Sequence, residues 1–134
     1  MVITLSIKTS RQTEFLDISR DVEKALSGTG VLEGVALIYC PHTTAGLTIN
    51  EGADPSVQGD ILRILNQVIP FSGPYQHGEG NSAAHIKASL IGASVSVIID
   101  NGRPVLGTWQ SIFFGEFDGP RTRKVLIKVI PAAT

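Results

Sequence analysis

The sequence predicts an α+β domain: a largely antiparallel, sandwich-like β-sheet with about three flanking helices. Three observations lead there. About seven segments read as strands, by period-two alternation or as short apolar runs rich in β-branched and aromatic residues. Three segments read as helices, and they fall between strands in the first half without the regular alternation of a parallel βαβ fold. The 134 residues, 43% hydrophobic and 17% charged, suffice for one core. No repeat, linker or low-complexity stretch divides residues 1–134, so one domain is expected.

Residues 2–8 alternate, with Ile3, Leu5 and Ile7 on one side. Residues 14–18 form a short strand expected to pair back onto the first across a polar turn. Residues 19–26 form a helix with Val22, Ala25 and Leu26 as its stripe, Asp17 or Ser19 as cap, and Gly28 and Gly30 at its end. The apolar run 34–40 (GVALIYC) reads as a strand buried on both faces, stopped by Pro41. Residues 47–50 make another strand. Asp54-Pro55 then opens the longest helix, 55–68, with Val57, Ile61, Ile64, Leu65 and Val68 on one face. A glycine-rich loop follows, leading to a helix at 82–90 capped by Asn81 or Ser82 and stopped by Gly92. Residues 94–100, 106–116 and 123–130 read as strands in a local antiparallel meander, with Asn101-Gly102 as a hairpin turn. Trp109, on the middle strand, is expected to pack, with a partner for its N–H.

The net charge of −1 gives no global attraction for nucleic acid or anionic membrane. The single cysteine, Cys40, excludes an internal disulfide and suits a reducing cytoplasm. The N-terminus lacks a signal-peptide apolar run, and no stretch approaches the roughly 20 apolar residues that span a bilayer. A soluble, cytoplasmic protein is expected. Charge is unevenly placed. Between Ala25 and Ile86 the only basic residue is Arg63, while the same span carries Glu33, Glu51, Asp54, Asp60, Glu79 and all three histidines. Such a region suits a cation better than an anion.

The histidines define the candidate site. His77 lies in the loop GPYQHGEGNS, and His85 in the first turn or so of the helix that follows. Their spacing matches no helical metal motif or zinc finger. Free backbone N–H groups at a helix start can hold an anion, and neutral imidazoles beside it can hold a cation. His42 follows a strand end, with Thr43 and Thr44 after it. Metal ligation is therefore expected from His42, His77 and His85, with zinc or magnesium as the ion and Glu79 or a water completing the shell. Catalytic roles are expected for His42, His85, Glu51 and Asp54. Substrate contacts are expected from Thr43, Thr44, Asn50, Asn81, Ser82 and Arg121. Each residue also has a plain structural reading: Asp54 as helix cap, the threonines as turn formers, Arg121 as partner of Asp118 or Glu116, and Cys40 as core.

The strings PHTTAGLTINEGADPSV, YQHGEGNSAAHIKASLIG and LGTWQSIFFGEFDGPRTRKV, in that order, resemble the YjbQ family, whose members have been called secondary thiamine-phosphate synthases. The resemblance covers nearly the whole chain. It implies a β-rich sandwich with flanking helices that assembles as a trimer. It also implies a cleft around the histidine segments with a metal. The implied activity joins an aminopyrimidine-methyl pyrophosphate to a thiazole phosphate with release of pyrophosphate. The (β/α)₈ barrel that usually hosts this reaction needs at least about 200 residues, so the activity would sit on an unrelated scaffold. Two other classes stay open: a hydrolase or lyase of another phosphorylated metabolite, and a non-enzymatic metal- or ligand-binding oligomer.

Overall fold

Period-two alternation places one apolar row per strand, and two antiparallel sheets bury those rows against each other. A computed structural model of the chain describes residues 1–133. The larger sheet contains β1 (Ile3–Lys8), β3 (Gly34–Tyr39), β5 (Ser94–Asp100), β6 (Arg103–Pro104) and β8 (Thr122–Pro131), in the order β1-β8-β3-β5-β6. The smaller contains β2 (Glu14–Asp17), β4 (Ala45–Glu51) and β7 (Gln110–Glu116), in the order β2-β7-β4. The helices are α1 (Ser19–Thr29), α2 (Pro55–Val68) and α3 (Ser82–Ile91). The fold is thus α+β, with three helices and two antiparallel sheets.

The main core joins Ile7, Ala36, Ile38, Val97, Ile99, Val125 and Ile127 of the larger sheet to Leu47, Ile112 and Phe114 of the smaller, with Val22 and Leu26 of α1 closing one side. Asp17 accepts the Ser19 N–H, and Ser19 Oγ accepts the Ile112 N–H, which pins the start of α1 to β7. Gly30 ends α1 in the left-handed conformation. Asn101 and Gly102 both have positive φ, 53° and 78°, as the tight β5–β6 turn requires. Pro104 falls on an edge strand, where its missing N–H is harmless. Asp54 caps α2 by accepting the Ser56 N–H at 3.0 Å. The helix α3 packs through small residues, Ala83, Ala84 and Ala88, the last two against Phe117.

Five expectations need correction. The strand β2 pairs with β7, not β1, because its apolar side chains are needed against Phe113 and Phe114 in the other sheet. The meander does not form: β5 and β8 both flank β3, and β7 crosses to the smaller sheet. The β3 run is buried on one face only, since Val35, Leu37 and Tyr39 point outward and are 37–44% exposed. Its second face reads as core in the sequence because it is apolar, yet none of the described residues covers it. Trp109 lies before β7, not in it, and is 64% exposed. The Asn81 side chain does not cap α3 but turns to Asp118.

At one end of the sandwich an ion pair crosses between the sheets. Glu116 of β7 is fully buried and faces Arg123 of β8, itself 5% exposed. Arg123 Nε donates to Glu116 Oε1 at 2.9 Å, and Nη2 donates to Oε2 and, at 2.8 Å, to Thr44 Oγ1. Thr9 Oγ1 and the Asp118 N–H donate to the same carboxylate. Burial pushes the Glu116 carboxyl upward, but the Arg123 guanidinium and the Thr9 hydroxyl outweigh it and hold the group below the usual carboxylate range. Both charges are satisfied, so removing one strands the other. Glu116→Gln is expected to cost about 3–5 kcal/mol in urea denaturation, and the double replacement Glu116→Leu with Arg123→Met should recover most of that loss.

Candidate functional site

Three segments meet at the end of the sandwich where this ion pair lies. They are the β3–β4 loop (41–44), the loop and helix start that carry His77 and His85, and the β7–β8 turn (117–121). Together they line a cleft of about 450 Å³, with His42, His77, Glu79, Asn81, His85 and Arg121 on its walls. The sandwich fixes all three. The Thr44 carbonyl accepts the Phe117 N–H, and Arg123 binds the Thr44 side chain from below. In the turn, a Cβ on Gly119 would collide with the Arg11 carbonyl oxygen, so only glycine permits the close approach.

The three histidines are not equivalent. His77 and His85 stand edge to face with ring centroids 5.3 Å apart. Glu79 Oε2 lies 3.9 Å from His77 Nε2. His42 instead spends Nε2 as an acceptor for the backbone N–H of Lys124, at 2.9 Å. Burial lowers the His42 pKa, with the Arg123 and Lys124 charges acting in the same direction against the pull of Glu116. His42 is therefore a neutral ring near pH 7.

The donor set can be tested against a metal. Two imidazoles on a tetrahedral zinc, with Zn–N of about 2.1 Å, have centroids roughly 5 Å apart. The His77–His85 separation fits that pair, and Glu79 stands beside it. Among the described residues, no group of three or more His, Cys, Asp and Glu side chains forms a ready cage. The expected third ligand, His42, does not fit, because its Nε2 is already engaged. The donors present suit a two-histidine site, not a three-histidine one.

Across the cleft, Asn81 Nδ2 donates to Asp118 Oδ2 at 2.9 Å, and Arg121 donates to the same residue through Nε (to the carbonyl, 2.8 Å) and Nη2 (to Oδ2, 3.0 Å). Asn81 Oδ1 is buried without a partner among the described residues, and so remains an acceptor in the cleft wall. The structure thus brings together His42, Thr43, Thr44, His77, Asn81, His85 and Arg121. Ser82 faces an adjoining hollow shared with His77, His85 and Tyr75. Asn50, Glu51 and Asp54 are elsewhere. Asn50 and Glu51 end β4 and Asp54 follows it, some 20 Å away at about 3.3 Å per residue. Their polar atoms serve local turns, with Asn50 Oδ1 accepting the Glu51 N–H, Glu51 the Ala53 N–H, and Asp54 the Ser56 N–H. Cys40 is buried in the core, and burial raises its thiol pKa. Asp118, Glu79 and Arg123 complete the site, and their signals in the sequence are weak. A clearer signal belongs to Glu116, the partner of Arg123, a charge inside the apolar run FFGEF.

A sequence model described as "UPF0047 protein YjbQ-like" matches residues 3–132. The chain belongs to the YjbQ/UPF0047 family. It is 56% identical to UPF0047 protein YugU of Bacillus subtilis, over 97% of this chain and 99% of that one. It is 52% identical to UPF0047 protein MJ1081 of Methanocaldococcus jannaschii, over 97% and 94% of the two chains. The crystal structure of an uncharacterized YjbQ/UPF0047 protein from Clostridium acetobutylicum aligns with a TM-score of 0.94 at 58% identity, covering 96% of this chain and 99% of that one. Hypothetical protein APE1520 from Aeropyrum pernix aligns with a TM-score of 0.93 at 36% identity, covering 98% and 99%. These YjbQ relatives carry no named activity, so the function must be argued from the cleft.

The His42 geometry gives a pH dependence. Its folded pKa is depressed, so the unfolded chain binds more protons below the ordinary histidine value of 6.5. Stability should fall as pH drops through 6.5 toward that lower pKa. His42→Gln keeps an acceptor for Lys124 without a titrating ring. Urea midpoints at pH 7.5 and pH 5.5 should differ less in this variant than in the wild type.

Proposed function

We propose that this protein is a small-molecule enzyme acting on a phosphorylated substrate in the cleft between His42, His85 and Arg121. The observation that carries the reading is the edge-to-face pair of His77 and His85, placed beside Arg121 and the start of α3 in one cleft. The two sides have complementary chemistry. Imidazoles, together with Glu79, can hold a divalent cation or move a proton. Arg121 and the backbone N–H groups that open α3, whose N-cap side chain is turned away, can hold a phosphate. When bound at His77 and His85, zinc or magnesium would neutralise charge on a departing pyrophosphate. This chain's own residues bind the phosphate through Arg121, orient the substrate through Thr43, Ser82 and Asn81, and use His85 either to hold the cation or, with no metal on that ring, to exchange a proton.

The activity that best suits this chemistry is the thiamine-phosphate synthase-like condensation: an aminopyrimidine-methyl pyrophosphate joined to a thiazole phosphate, with loss of pyrophosphate. The alternative within the same site is hydrolysis or elimination on another phosphorylated metabolite. Cytoplasmic residence is part of the proposal, supported by the free, buried Cys40. No helix among the described residues is long and apolar enough to cross a membrane.

A second reading, a ligand-binding oligomer without catalysis, is favoured by a different observation. The outward face of the larger sheet presents Val35, Leu37, Tyr39, Ile98 and Ile130, all 37–62% exposed, and the strand registers set Ile98, Val35 and Ile130 side by side. An apolar sheet face of this kind is what a subunit interface covers. We place the contacts of a homotrimer there. Leu37→Glu is expected to shift the sedimentation coefficient from trimer toward monomer, and an unshifted trimer would remove this face from the assembly.

The enzyme reading is tested by pyrophosphate release from the two thiamine precursors with magnesium or zinc present. His85→Ala and Arg121→Met should each lower the rate by at least about tenfold, as expected for loss of a proton-transfer group or a phosphate-binding charge. Equal rates in wild type and both variants would place the activity elsewhere.

A further inference from the structure

The engagement of His42 follows from how β3 ends. In the β3–β8 ladder Tyr39 lies opposite Leu126, a register that would set residue 41 opposite Lys124. β3 ends at Tyr39, before Pro41, so the strand carbonyl that a longer β3 would offer to the Lys124 N–H is missing. His42 Nε2 takes the N–H instead. A ring nitrogen that accepts an N–H carries no proton, so the neutral ring bears its proton on Nδ1. Burial and the charges of Arg123 and Lys124 disfavour a cation on the ring, against the opposing pull of the Glu116 carboxylate that pairs with Arg123. Ligation through Nε2 would break the strand-end bond and orphan a backbone donor, and ligation through Nδ1 would require that nitrogen to lose its proton.

We propose that His42 is the cleft's fixed hydrogen-bond donor, its Nδ1–H serving a phosphate oxygen of the substrate, and that it neither ligates metal nor accepts a proton in the reaction. The proposal rests on the reading of the cleft as a phosphate-handling site and assigns one residue within it. It also gives the three histidines different roles, with His77 and His85 serving the cation or proton and His42 serving the anion. His42 thus helps to close the larger sheet and to recognise the ligand, one nitrogen for each.

The test uses the full chain labelled with ¹⁵N-histidine, with the His42 signals assigned by their loss in His42→Gln. Long-range proton–nitrogen spectra at pH 7.5 should show His42 with a protonated Nδ1 and a bare Nε2. One equivalent of zinc should move the His77 and His85 nitrogens and leave those of His42 in place. Inorganic phosphate should shift the His42 Nδ1–H, and His42→Leu should weaken phosphate binding about tenfold, the worth of one hydrogen bond to a charged group, while changing zinc affinity by less than about twofold. A protonated Nε2, a His42 signal that moves with zinc, or an Nδ1–H unmoved by saturating phosphate would each overturn the assignment. If zinc moves none of the three rings, the metal part of the proposed function fails while the donor role of His42 still stands on its tautomer and its response to phosphate.

Discussion

The buried pair of Glu116 and Arg123 is the constraint on which the site end of the molecule depends. Each charge comes from a different sheet, so the pair fixes how the sheets meet there. Neither side chain has spare hydrogen-bonding capacity to lose cheaply. The carboxylate accepts from Arg123, Thr9 and the Asp118 N–H, and the guanidinium reaches on to Thr44. Buried ion pairs commonly contribute little net stability but are costly to break. Here the pair instead sets geometry: it holds the loop that carries His42 and Thr43 against the turn that carries Asp118 and Arg121. The polar cleft is the surface of this clamp.

Much of the fold was legible in the sequence because alternation and helix punctuation are local signals. Asp54-Pro55 marked the start of α2, the 94–100 run gave β5, and Asn101-Gly102 gave its turn. What could not be read was which sheet a strand joins. The alternation of 14–17 and of 110–116 fits either sheet, and only the packing of Phe15 against Phe113 and Phe117 decides for the smaller one. The β3 run misled for a physical reason as well. Apolar residues on both faces look the same whether the second face is covered by this chain or by another.

The site was legible in outline and misjudged in part. The loop before α3 and the segment at His42 do meet, because β3 and α3 both deliver their polar ends to one edge of the sandwich. The extension of that site to Asn50, Glu51 and Asp54 failed because sequence proximity to His42 is undone by β4, which carries the chain to the opposite end. The basic-poor character of residues 25–86 was also incomplete as a guide. Folding sets that segment against Arg121 and Arg123, each already paired with a carboxylate. The cleft is therefore balanced in charge, with the His77, Glu79 and His85 side facing the Arg121 side.

That opposition of walls, with the histidines divided between them, is the central claim. A crystal structure of the protein soaked with zinc and inorganic pyrophosphate tests it most directly. The account predicts anomalous density between His77 and His85, pyrophosphate against Arg121 and the start of α3, and His42 still bonded to the Lys124 N–H. Zinc bound by all three histidines, or pyrophosphate outside this cleft, would contradict it.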